Sequence, residues 1–161
     1  MIFTAKTTVF DCKNNYGASY LGMRSIEFKL DGTLISVDPT TDCSIWVTTQ
    51  YSSASASINF AFDTTRDKTG TFSQRSYLSL SNYDHRITVV WNTPIEFDEI
   101  VINNWHSEGS STYYGIKDTK IYITDDSMSG AVYGNTVPNG AMIFDGTIDE
   151  HVPSDVIDDQ V

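Results

Sequence analysis

The feature that most constrains this chain is a succession of short β-branched and aromatic runs, each closed by Gly, Pro, Asn or Ser. Residues 45–49, 58–62, 77–80, 87–91, 99–103, 120–124 and 141–145 all have this character. Such runs fit a pleated, half-buried surface, and their spacing of about ten residues with turn signals between them predicts a sandwich or barrel. Residues 25–35 alternate apolar and polar side chains and then turn at Asp31-Gly32, the strongest short-range hairpin signal. In that hairpin Ile26, Phe28 and Leu30 are expected to face the core, and Glu27 and Lys29 to face water. Helical periodicity is nearly absent; residues 127–133 and 154–160 each fit a single turn. The prediction is all-β: one antiparallel β-sandwich domain, of the jelly-roll kind, over residues 1–161.

A chain of 161 residues is long enough for one domain that buries roughly 70% of its unfolded surface. Its formal charge of −11, with only 10 Lys and Arg, argues against nucleic acid, because phosphate binding needs clustered cations. The acidity reads as a solubility device. No stretch approaches the roughly 18 apolar residues of a membrane span, so no membrane insertion is expected. Residues 1–6 lack the apolar core of a signal peptide. Cys12 and Cys43 are either two buried thiols or one bridge.

Residues 103–115 form a polar aromatic loop between two of the runs. Sugars offer C–H faces that stack on rings and hydroxyls that bond to amides and carboxylates. Asn104, Trp105, His106, Glu108, Tyr113 and Tyr114 supply both kinds of group and are the first ligand-binding candidates. The competing reading has Trp105 and Tyr114 plugging one end of the sandwich while Asn103 and Asn104 satisfy turn backbone. Catalysis is not expected. The acidic pairs at 98–99, 125–126 and 149–150 are sequence neighbours, which point to opposite faces of a strand, whereas a glycosidase needs two facing carboxylates. His85, His106 and His151 show no metal-ligand spacing.

Leu78-Ser79, ITVVW (87–91), TPIEFDEIVINN and YGIKDTKIYITDD together resemble the discoidin, or coagulation factor 5/8 type C, galactose-binding-like superfamily over roughly residues 51–151. Gly115, Ile116, Lys117, Asp118, Ile121, Ile123, Thr124 and Asp126 stand in its basic-strand pattern. Ala61-Phe62-Asp63 resembles the turn that precedes its structural cation loop. The stretch INNWHSEGSSTYYGIKDTKIYITDD, followed by FDGTIDEHV, is most similar to domains of phage tail and virion surface proteins.

The resemblance implies a sugar site on loops at one end of the sandwich. Trp46, Tyr51 and Arg75 become a second candidate set there, although Trp46 lies in an apolar run and equally fits the core. It also implies a structural Ca2+ held by Asp63 and Asp67 with Thr64 and Thr69, completed by Glu150 or Asp149. Hard cations want six to eight oxygens, which a tight polar loop can supply; the family's usual Gly after Asp63 is missing. The expected function is a non-catalytic carbohydrate-binding module of a phage tail or virion surface protein contacting host surface glycans. Such a module would be homo-oligomeric or multi-copy on the particle, in a virion or extracellular setting. The alternative is a structural virion protein, a capsid decoration or tail scaffold subunit, whose aromatics contact other virion proteins.

Overall fold

A computed structural model describes residues 1–51, 57–64, 77–105 and 111–150. In chain order the strands are β1 (Phe3–Asn14), β2 (Gly22–Leu30), β3 (Thr33–Leu34), β4 (Cys43–Val47), β5 (Tyr77–Leu78), β6 (Tyr83–Phe97), β7 (Glu99–Asn104), β8 (Asp118–Thr124) and β9 (Ala141–Thr147). One helical turn, α1 (Asn59–Phe62), and a 3-10 turn, Thr112–Tyr114, complete the described elements. The strands form two sheets. One has five strands in the order β4-β6-β1-β8-β9; the other joins β2 to β3, β5 and β7. Every ladder is antiparallel. The chain is therefore an all-β antiparallel sandwich.

The core lies between the sheets. Phe10, Ile87, Val89, Trp91 and Ile121 from the five-stranded sheet meet Met23, Ile26, Phe28 and Ile102 from the other. The Phe28 ring stands edge-on to Trp91 and to Phe97, with centroids 5.1 Å apart in both pairs. Trp91 keeps its polar atom satisfied by donating from Nε1 to Thr8 Oγ1 at 3.2 Å. Full burial of each such side chain contributes roughly 1.5–3 kcal/mol. The β2–β3 hairpin turns at Asp31-Gly32, with positive φ at both (50° and 72°), the geometry of a two-residue hairpin turn of the primed kind.

The outer face of the five-stranded sheet is also covered. The segment 125–140, between β8 and β9, crosses it as a strap. Thr7 Oγ1 donates to the Asp126 carbonyl at 2.6 Å, Thr48 Oγ1 to Ala131 at 2.9 Å, Arg86 Nη2 to Asn135 at 2.8 Å and Thr124 Oγ1 to Pro138 at 2.7 Å. Beneath the strap Thr7, Val9, Asp11, Arg86 and Thr88 are buried. Asp11 and Arg86 form a bidentate pair there, Nε–Oδ1 at 2.5 Å and Nη2–Oδ2 at 2.6 Å.

Several local expectations are corrected. Residues 58–62 are not a strand but the cap and turn of α1, which buries Ile58, Ala61 and Phe62 at helical i, i+3, i+4 spacing. Residues 127–133 are strap rather than helix. Glu27 does not face water: it is buried, and its Oε1 accepts from Ser25 Oγ at 3.2 Å. Cys12 and Cys43 are unbridged and buried; burial pushes both thiols up to about 12. The stretch 154–160 lies outside the described residues.

Candidate functional site

The end of the sandwich where β1 finishes and β2 begins gathers the chain's aromatic loops. Asn15 shapes the first of them. Its Oδ1 accepts from the backbone N–H of Gly17 at 2.9 Å and Ala18 at 3.1 Å, and its Nδ2 donates to the carbonyls of Ala18 and Tyr20. This turn presents Tyr20. Tyr51 arrives from another loop, its N–H donating to the Leu78 carbonyl at 2.9 Å. Tyr113 and Tyr114 sit on the 3-10 turn, entered through Ser111 at φ 59°.

The four tyrosines and Trp105 make one continuous cluster. Tyr20 stacks on Tyr114 (6.2 Å, 17°) and meets Tyr51 edge-on (5.4 Å, 76°). Tyr114 contacts Tyr113 (4.7 Å) and stands nearly perpendicular to Trp105 (5.8 Å, 66°). Trp105 and Leu78 are the buried foundation, with Tyr20, Tyr51 and Tyr114 partly buried against them. Tyr113 remains 46% exposed. Burial, and then the neighbouring Tyr113, hold the Tyr114 hydroxyl above its ordinary pKa. Gly22 makes the foundation possible. A Cβ there would lie 2.6 Å from Trp105 Cε3 and 3.0 Å from the Tyr77 carbonyl.

Polar groups rim the cluster. Thr112 Oγ1 donates to Glu150 Oε1, and Asp149 and Glu150 are exposed. Lys117 Nζ lies 5.4 Å from the centroid of the Tyr16 ring, and the Tyr16 hydroxyl donates to the Ile148 carbonyl. Burial, with Asp149 and Glu150 nearby, raises the Tyr16 pKa.

The expected site residues divide accordingly. Tyr113, Tyr114 and Tyr51 come together on this end. Trp105 belongs to the same cluster but at 3% exposure it is its floor, so it offers no face for stacking. Asn104 is likewise withdrawn from any ligand. It is fully buried and staples three segments, Nδ2 donating to the carbonyls of Ile116 and Asp149 (both 2.8 Å) and Oδ1 accepting from the Trp105 N–H. Trp46 is neither in the core nor in this cluster. It is 46% exposed on β4, opposite Thr88. His106, Glu108 and Arg75 lie outside the described residues. Tyr20 and Tyr16 are additions to the sequence candidates, although NNYGASYLG repeats the tyrosine, glycine and serine mixture of SSTYYG.

Of the residues expected to hold a cation, Asp63, Thr64, Asp149 and Glu150 are among those described. Asp63 follows α1, and the next residue, Thr64, is tied to Val37 through N–H and Oγ1; Glu150 belongs to the tyrosine end through Thr112. Asp67 and Thr69 lie outside the described residues. Among those described, no group of three or more His, Cys, Asp or Glu is placed to hold a metal. No helix there is long and apolar enough to cross a membrane.

No known protein family, curated protein or solved structure matches this chain.

Proposed function

We propose that this chain is a non-catalytic carbohydrate-binding module whose ligand stacks on the tyrosine end. The observation that carries the reading is the cluster of Tyr20, Tyr51, Tyr113 and Tyr114 on a buried Trp105 floor, rimmed by Glu150 and Asp149. A pyranose ring has an apolar face for the tyrosines and hydroxyls for the carboxylates. The sandwich supports the reading as a scaffold with loops gathered at one end, as a jelly-roll, galactose-binding-like domain has. The residue pattern of 87–126 supports placing the module on a phage tail or virion surface, facing host glycans.

The test is a glycan array probed with the full chain, followed by titration calorimetry on the strongest ligand. Tyr113→Ala should weaken binding about tenfold, since an aromatic contact contributes about 0.5–1.5 kcal/mol beyond its buried area. Tyr114→Ala, which also removes support for Tyr20, should weaken it more. Binding indifferent to both substitutions would remove this end as the site.

The second reading is a structural virion subunit, and exposed Trp46 on a sheet edge favours it, because aromatic side chains anchor protein interfaces. Particle assembly that fails with Trp46→Ala, with glycan binding intact, would support that role.

A further inference from the structure

We infer that β4 is the contact through which two copies of this chain pair, edge to edge and antiparallel, about a two-fold axis at Ile45. The strand lies at one edge of the five-stranded sheet, and among the described residues only β6 pairs with it. The Asn92 N–H donates to the Asp42 carbonyl and the Thr48 N–H to the Arg86 carbonyl. Because hydrogen-bonding direction alternates along a strand, the backbone groups of Cys43, Ile45 and Val47 point away from β6.

The two edges of this sheet are unlike. Beside β9 the ladder is bulged between Ile121 and Tyr122, and the strand carries Asp145 and Gly146; a bulge and a charge are the usual guards against edge pairing. In β4 the sequence Cys43-Ser44-Ile45-Trp46-Val47 has no charge, proline or glycine, and its register with β6 runs without a shift. Trp46 leaves its indole 46% exposed.

The occupant follows from self-complementarity. With Ile45 opposite itself, Cys43 faces Val47, Ser44 faces Trp46 and Asp42 faces Thr48 of the second copy. Each exposed indole then meets a small serine, and no two like charges oppose one another. For a chain of net charge −11, a neutral strand is where two copies approach at least electrostatic cost. An isologous pairing of this kind closes after two subunits. Val47 lies toward the tyrosine end, so the antiparallel arrangement sends the two tyrosine ends in opposite directions. The pairing itself does not rest on the glycan reading.

Sedimentation equilibrium of the full chain should show a species of twice 18.0 kDa. Ile45→Pro removes the outward N–H together with a side chain packed against the core, so it is read beside Ile45→Val, which keeps the N–H. The proline should weaken association at least about tenfold, a lost 1.4 kcal/mol or more, and the valine should not. Ser44→Lys and Trp46→Glu should each weaken it. The double variant should restore it, because the introduced ammonium of each copy then faces the introduced carboxylate of the other. Circular dichroism verifies that each variant is folded. A wild-type chain monomeric at all soluble concentrations overturns the proposal, as does a dimer indifferent to these changes. Failure of the double variant to recover overturns the pairing about Ile45.

Discussion

His85 carries its imidazole into the core with no exposed surface. The Tyr77 hydroxyl donates to the Thr49 carbonyl at 2.5 Å, so at 2.6 Å from the ring it must accept from His85 Nε2–H. Nδ1 then carries the lone pair, and it has no partner among the described residues. Burial pulls the folded-state pKa from 6.5 down to about 4. The unfolded chain therefore takes up the proton first. Stability supplied by neutral His85 is whole above pH 6.5 and drains away as pH falls towards about 4, a loss of about 3 kcal/mol. Urea midpoints measured across that window should decline for the native chain, and decline less for His85→Gln. Asp11 and Arg86 pose a different problem at the same scale. Beneath the strap each neutralises the other, so Asp11→Ala strands a buried guanidinium and should cost about 3–5 kcal/mol in urea unfolding. Replacing both by apolar residues should cost less than the single change.

Among the elements, β2, β6 and β7 were legible in the chain although each buries both of its faces, and β1 was not. The β2–β3 hairpin was visible because Ile26 and Phe28 alternate with Ser25, Glu27 and Lys29, and β7 because Ile100, Val101 and Ile102 form a β-branched run. β1 gave no such alternation, since the strap buries Thr7, Val9 and Asp11 on one side while Phe10 and Cys12 fill the core on the other. A polar residue under a strap looks in sequence like one facing water, and so does Glu27, buried on the other sheet beside Ser25 and Asn103. Of the candidate site, adjacent Tyr113 and Tyr114 were readable. The exposure of Trp46 in an apolar run was not, and the burial of Trp105 in a polar loop was only one of its two readings. Which one the fold covers depends on strand order, and here Gly22 on β2 opens the space beside Trp105. Gly22→Ala should push the indole aside at a cost of about 1–3 kcal/mol, the usual penalty of overpacking. Tryptophan fluorescence and melting temperature should move together, and glycan affinity should fall with them because Tyr114 leans on that ring.

At the scale of the molecule, the two sheets are cross-linked in sequence as well as in space. β1 lies at the centre of the five-stranded sheet, between β6 and β8, and its register joins Thr7 to both Val90 and Thr124. As a ribosome makes the chain, this central strand emerges before both its neighbours. Until β8 has emerged, β1 has no second ladder to join, and the strap that roofs it is not yet made. Pairing across so long a stretch requires closing large loops before any contact repays them, so refolding should fall in the slow, millisecond-to-second class of non-local β proteins. Nascent chains arrested before Asp118 should be cut readily by protease within β1, and resistance should appear once β9 has cleared the exit tunnel. Early resistance would show that β1 and β6 hold together without the rest. The strand placed most deeply in the finished sheet is thus the one left longest without its partners during synthesis.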